Sequence, residues 1–79
     1  MYYVYILLCL DKSYYVGLTD NIRKRLSEYN QKMCKYTKSR LPVKLVWVGI
    51  FGNKKIAARF EKYLKSGSGN AFMKKRLIQ

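Results

Sequence analysis

Histidine is absent from this chain of 79 residues, cysteine occurs twice, proline and tryptophan once each, and only four side chains are acidic. Each shortage removes a class of chemistry. Without imidazole there is no histidine general acid or base. Cys9 and Cys34 stand too far apart for a CxxC pair and cannot complete a tetrahedral Cys/His zinc site by themselves. No charged segment followed by an apolar run and a small-residue cleavage site opens the chain, which points to a reduced, cytoplasmic setting. No stretch is long and apolar enough to span a membrane or to lie along one as a clean lipid-facing stripe, so no membrane partner is expected.

Positive charge is abundant instead. The 17 Lys and Arg residues give a net charge of +13 and are spread over the whole length. Such a surface attracts polyanions, because every phosphate it neutralises releases condensed counterions. DNA is the first candidate, with RNA left open. An apolar content of 49% suffices for one hydrophobic core but not two, which predicts a single domain over residues 1–79.

Aromatic and β-branched residues from Tyr2 to Leu10, the turn formers Asp11, Lys12 and Ser13, and a second such run from Tyr14 to Thr19 predict a β-hairpin. Asp20 is expected to cap a helix from about Asn21 to Met33, whose stripe is Ile22, Leu26, Tyr29 and Met33. Glu28 is expected on its wet side, between Lys24 and Lys32. Residues 34–42 read as a basic connection ending at Pro42. Val43 to Phe51 is so uniformly apolar that it predicts a central strand covered on both faces, with Gly49 and Gly52 allowing a bulge and a tight exit. Asn53 is expected to cap a helix that buries Ile56, Phe60, Tyr63 and Leu64 and ends near Lys65, with Gly67 as its stop. Ser66 to Gly69 reads as a flexible link, and Ala71 to Ile78 as a short closing helix with Phe72 and Met73 tucked in. The fold class is therefore α+β: a small three-stranded antiparallel sheet flanked by helices, in the order β-β-α-β-α-α.

Strand alternation places Tyr3, Tyr5 and Leu7 on one face of the first strand and Val4, Ile6 and Leu8, read as core, on the other. Tyr15, Gly17 and Thr19 share a face of the second strand, and Tyr5 joins them if the hairpin leaves an odd number of residues unpaired. Tyr3-Val4-Tyr5, followed after nine residues by Tyr15-Val16-Gly17, resembles the paired motif that names the GIY-YIG nucleases. Arg25 and Tyr29 match that family's arginine and the His or Tyr one turn later, and Glu61 matches its metal-binding glutamate on a later helix. The short chain and the segment from Tyr36-Thr37 to Leu45-Val46 particularly resemble small stand-alone bacterial members. Tyr3-Val4 stands in place of Gly-Ile, Val16 in place of Ile, and Leu18 where some repair-type members carry lysine.

Two features of the residues themselves bear on that resemblance. At 100° per residue, Arg25 lies about 60° from the stripe centre, while Arg23 and Lys24 point outward. A rim arginine can grip a phosphate through two N–H groups, or simply snorkel over the core edge. Among the acids, Asp11 is assigned to a turn, Asp20 to a cap and Glu28 to the wet face, which leaves Glu61 as the hard-cation ligand, with an ion pair to Lys65 as the alternative.

The resemblance implies a metal-dependent endonuclease that hydrolyses DNA phosphodiester bonds, structure-selective or weakly sequence-specific, of a kind used in DNA repair. Glu61 would hold Mg²⁺ or Mn²⁺ and Arg25 would bind the cleaved phosphate. Tyr5 or Tyr15 would activate water, with a neighbouring cation favouring the phenolate. Tyr29 would orient that base or touch the phosphate. Lys35, Lys38 and Arg40 are candidate phosphate contacts and Tyr36 could stack on an unpaired base, with a merely solvated basic loop as the alternative. Asn70 loosely resembles a late asparagine of some members. Two alternatives are a nucleic-acid-binding module without catalysis and a catalytic subunit targeted by a protein partner.

Overall fold

A computed structural model describes residues 1–30 and 43–78. Its elements are β1 (Tyr2–Leu8), β2 (Tyr14–Thr19), α1 (Ile22–Asn30), β3 (Lys44–Phe51), α2 (Lys54–Lys65) and α3 (Gly67–Phe72), followed by a π-helical turn (Met73–Leu77). The strands form one antiparallel sheet in the order β2-β1-β3, as the α+β reading expects.

The central strand is β1, not β3. Val4 and Ile6 are buried on one face, among Val16, Ala57, Leu64 and Met73. Tyr5 and Leu7 are buried on the other, against Tyr29. Both faces of β1 are therefore core. Val43, just before β3, and Leu45 pack with the α1 layer, whereas Val48 and Ile50 of β3 are 38% and 62% exposed. An unbroken apolar run does not by itself report double coverage; among the described residues, α1 covers only part of the sheet. The irregularity in β3 falls at Val46, between the pairs Ile6–Trp47 and Leu7–Leu45, rather than at Gly49.

The β1–β2 hairpin closes through hydrogen bonds from Lys12 N to Cys9 O and from Cys9 N to Ser13 O. Asp11 accepts from the Ser13 backbone and hydroxyl. Lys12 adopts φ 71°, a left-handed conformation that crowds Cβ against the following carbonyl at a cost of ~1–2 kcal/mol. Lys12→Gly should therefore raise stability by about 0.5–1 kcal/mol, after allowance for glycine's greater unfolded-state freedom. Urea unfolding checks this, and an unchanged or lower midpoint would refute it.

Asn21 caps α1 in place of Asp20. Its Oδ1 accepts from Lys24 N at 3.0 Å, and its carbonyl takes the first helical bond, from Arg25 N. Thr19 Oγ1 accepts from Asn21 N, a local turn that moves the cap one residue on and leaves Asp20 exposed. Asn53 caps α2 as expected, accepting from Lys55 N and Ile56 N. The stripe of α2 differs from expectation: Ala57 and Leu64 are buried, whereas Ile56 and Tyr63 are 53% and 42% exposed. The small Ala57 lets the helix axis approach the sheet, and that contact sets its rotation.

Ser66 to Gly69 is not a link. Ser66 donates to Tyr63 O at 2.6 Å and accepts from Gly69 N, capping α3. Gly69 is buried where a Cβ would run into the Tyr63 carbonyl. Met73 is buried as expected, while Phe72 stays 37% exposed. No described helix is long and apolar enough to cross a membrane.

Candidate active site

The hairpin register decides what Tyr5 meets. Leu8 pairs with Tyr14, so the loop spans an odd number of residues, and Tyr5 lies directly opposite Gly17, on the same face as Tyr15 and Thr19. A Cβ on Gly17 would collide with the Tyr5 ring and hydroxyl. The glycine is therefore an opening in the strand across which the Tyr5 ring lies. Sequence reading placed Gly17 on the right face but assigned it no task; its position opposite an aromatic residue was the available signal.

Tyr5 and Tyr29 are both 0% exposed. A buried phenol without a partner costs about 1–3 kcal/mol, and these two satisfy one another through a 2.8 Å hydrogen bond between hydroxyls. Their rings meet edge to face at 6.2 Å, and Tyr15 packs on Tyr29 in the same way at 5.9 Å. Arg25 reaches this cluster from α1. Its Nε donates to the Tyr5 hydroxyl at 3.3 Å, and its guanidinium lies over the Tyr29 ring, 5.1 Å from the centroid. Burial foremost, and then the bond to Tyr5, push the Tyr29 phenol far above its ordinary range, so it stays protonated. The bond to Tyr5 chiefly holds Arg25 even more firmly charged than usual, against the opposing effect of partial burial.

Glu28 does not face away. It pairs with Arg25 Nη1 at 3.1 Å and is only 28% exposed. The i,i+3 spacing brings it to a guanidinium already fixed at the sheet rim, and a planar, partly desolvated arginine is a better partner than an exposed lysine. Arg25 is thus held from three sides, by Tyr5, Tyr29 and Glu28. The two residues line a cleft of about 390 Å³ together with Leu18, Asp20, Asn21, Lys24 and Lys54. Sequence reading missed Glu28 and Lys54 here, and both could have been found only from the approach of α1 and α2 to the same end of the sheet.

A second cleft, of about 340 Å³, opens beside Tyr14, Tyr15 and Val16, with Lys65, Asn70 and Met73. Tyr15 connects the two regions: its ring rests on Tyr29 and it borders this cleft with Asn70. Glu61 makes no described contact with the tyrosine–arginine cluster; it pairs with Lys65 at 3.1 Å and is 23% exposed. Helical spacing nevertheless gives it a direction. Lys54, Glu61 and Lys65 fall within about 20° of one line along α2. Lys54 lines the first cleft and Lys65 the second, so Glu61 projects from the flank of α2 that runs between them. The elimination that singled out Glu61 loses two premises, since Asp20 is not a cap and Glu28 is not on the wet face. Lys35, Tyr36, Lys38 and Arg40 lie outside the described residues, as do Lys32, Met33 and Cys34.

A three-stranded antiparallel sheet whose adjacent strands present paired tyrosines to an arginine of the next helix defines a GIY-YIG domain. The chain belongs to this nuclease family: the family model described as the GIY-YIG catalytic domain matches residues 1–76. Among its relatives are bacterial UPF0213 proteins. One from Clostridium perfringens is 46% identical over 71 residues, covering 89% of this chain and 76% of the relative. Another, from Bacillus licheniformis, is 48% identical over 65 residues, 81% of this chain and 67% of the relative. The solution NMR structure of a UPF0213 protein from Bacillus halodurans is 35% identical, with a TM-score of 0.60 over 95% of this chain and 84% of that one.

Proposed function

We propose that the chain is a metal-dependent endonuclease that hydrolyses phosphodiester bonds of DNA along the outer edge of β2. The observation that carries this reading is the locked Arg25, a charged guanidinium oriented into a cleft before any substrate arrives. Preorganised charge of this kind stabilises the extra negative charge that a phosphodiester acquires as water attacks it.

Tyr15 is the better general base of the two tyrosines. Tyr5 is fully buried and its hydroxyl is engaged by Arg25 and Tyr29, so its part is to hold the arginine. Tyr15 also bonds to Tyr29, but it is only partly buried and borders the second cleft, where water and a phosphate can reach it. As a phenolate it would take the proton of the attacking water as the new P–O bond forms, while the bond to the leaving oxygen breaks and Arg25 neutralises the phosphate. Leu18 brings no charge to the first cleft, but Lys24 and Lys54 do.

Among the described residues no three acidic or cysteine side chains cluster into a metal cage. The one-carboxylate manner of binding Mg²⁺ or Mn²⁺ fits better: Glu61 would supply a hard oxygen, and substrate phosphate and water would supply the remaining ligands. Its pairing with the half-exposed Lys65 is worth only a few tenths of a kcal/mol and does not oppose such an exchange. The cation, when bound, would add positive charge at the scissile phosphate.

Labelled duplex, nicked, branched and single-stranded DNA, incubated at low salt with and without Mg²⁺ or Mn²⁺, tests the reading. Cleavage that requires the metal is expected, and binding that falls steeply with salt while discriminating little between sequences of one shape. Binding without cleavage under every metal condition would reduce the protein to a nucleic-acid-binding module. A flat salt dependence would contradict the electrostatic part.

A further inference from the structure

The outer side of α2 and α3 carries an aromatic series that the cleavage site does not use. Phe60 packs against Trp47 and Phe51, with centroids 5.8 and 5.5 Å away, and so roots the series in the core. Tyr63 follows at 6.4 Å and Phe72 at a further 6.0 Å. These last two are 42% and 37% exposed, and Ile56 beside them is 53% exposed. Lys55, Arg59 and Lys62 are exposed on α2 within about 100° of Tyr63. Glu61, the one acid of α2, projects about 160° away from Tyr63 and leaves this side uniformly basic.

We infer that this face is a second nucleic-acid site, one that binds an unpaired strand by stacking bases on Tyr63 and Phe72 while the surrounding lysines and arginine follow its phosphates. The charge selects a polyanion, and the exposed rings select one whose base faces are free. A duplex hides those faces and a single strand offers them. The core-anchored Phe60 keeps Tyr63 in place, so little side-chain freedom remains to be lost on binding. The site is separate from the β2 clefts and would hold a flap, gap or unwound end beside a duplex engaged there. The inference rests on nucleic acid as the ligand, not on cleavage.

The test is fluorescence anisotropy with a labelled oligothymidine and a duplex of equal length, in the Glu61→Gln background so that no strand is cut. Tyr63→Leu and Phe72→Leu should each weaken single-strand binding by roughly 5- to 150-fold, the equivalent of ~1–3 kcal/mol per stacked base, and duplex binding much less. Tyr63→Phe should bind as the parent does. Photocrosslinking of an iodouracil oligonucleotide to the unmutated protein, mapped by mass spectrometry, should mark Tyr63 or Phe72 without any variant needing to fold. Unchanged single-strand binding, equal losses for both DNAs, or crosslinks confined to the β2 clefts would overturn the inference. So would concentration-dependent self-association abolished by Tyr63→Leu with no effect on single-strand affinity, which would make the face an interface between copies. Absence of cleavage in the metal assays would count against the nuclease reading and leave these outcomes readable.

Discussion

Glu61→Gln should abolish metal-dependent cleavage while leaving low-salt DNA binding nearly intact. The substitution keeps the shape of the side chain and removes the anionic oxygen that a hard cation requires, but takes nothing from a surface with a net charge of +13. Asp11→Asn is the matched control: it changes charge equally but sits in the β1–β2 turn, where an amide oxygen can still accept from the Ser13 backbone. Cleavage rates across a Mn²⁺ titration, beside anisotropy binding curves, separate chemistry from affinity. Wild-type-like cleavage by folded, contaminant-free Glu61→Gln would remove Glu61 as an essential ligand. Metal binding would then have to be sought at Asp20 and Glu28, the carboxylates of the first cleft.

Arg25→Ala should slow the cleavage step by about 10²-fold or more, the scale on which loss of a transition-state charge stabiliser is felt. Arg23→Ala, of equal charge and two positions away, is exposed and should affect only weak, salt-sensitive binding. The contrast depends on geometry alone: Arg25 is clasped by the Tyr5 hydroxyl, the Tyr29 ring and Glu28, while Arg23 faces water. Single-turnover rates at saturating DNA isolate the chemical step. Thermal melting is needed beside them, because removing Arg25 leaves the buried Tyr5–Tyr29 pair without its charged partner. Equal rates for the two variants would take Arg25 out of the active site.

Much of this arrangement was legible before any coordinates. Period-two alternation put Tyr15 and Gly17 on one face, with Tyr5 joining them only for an odd hairpin loop, and period 3.6 put Arg25 at the rim of a stripe containing Tyr29. Both periods are local, so they survive whatever the rest of the chain does. The errors have a common origin. Assigning Val43–Phe51 to the centre of the sheet, Ile56 and Tyr63 to the core and Glu28 to solvent each required knowing what lies across from an element. An apolar residue records that burial is tolerated, not that a partner arrives to cover it. Ser66 to Gly69 fails for the opposite reason: small residues that suggest a loose link also permit the closest helix contacts, and only the position of the Tyr63 carbonyl shows which applies.

By itself the sequence determined the chemical repertoire and its local spacing. It left no histidine, supplied tyrosines, arginines and only four acids, gave a strongly basic surface, and set the order of strands and helices. Tertiary structure decided which of those side chains meet. The hairpin register laid Tyr5 over Gly17, and the approach of α1 buried Tyr29 against it and turned Glu28 onto Arg25. The rotation of α2 turned Ala57 and Leu64 against the sheet and left Tyr63 exposed on the outer side. The physical reason is that backbone geometry repeats with a period readable from neighbours in the chain, whereas packing depends on shape complementarity between segments far apart in it.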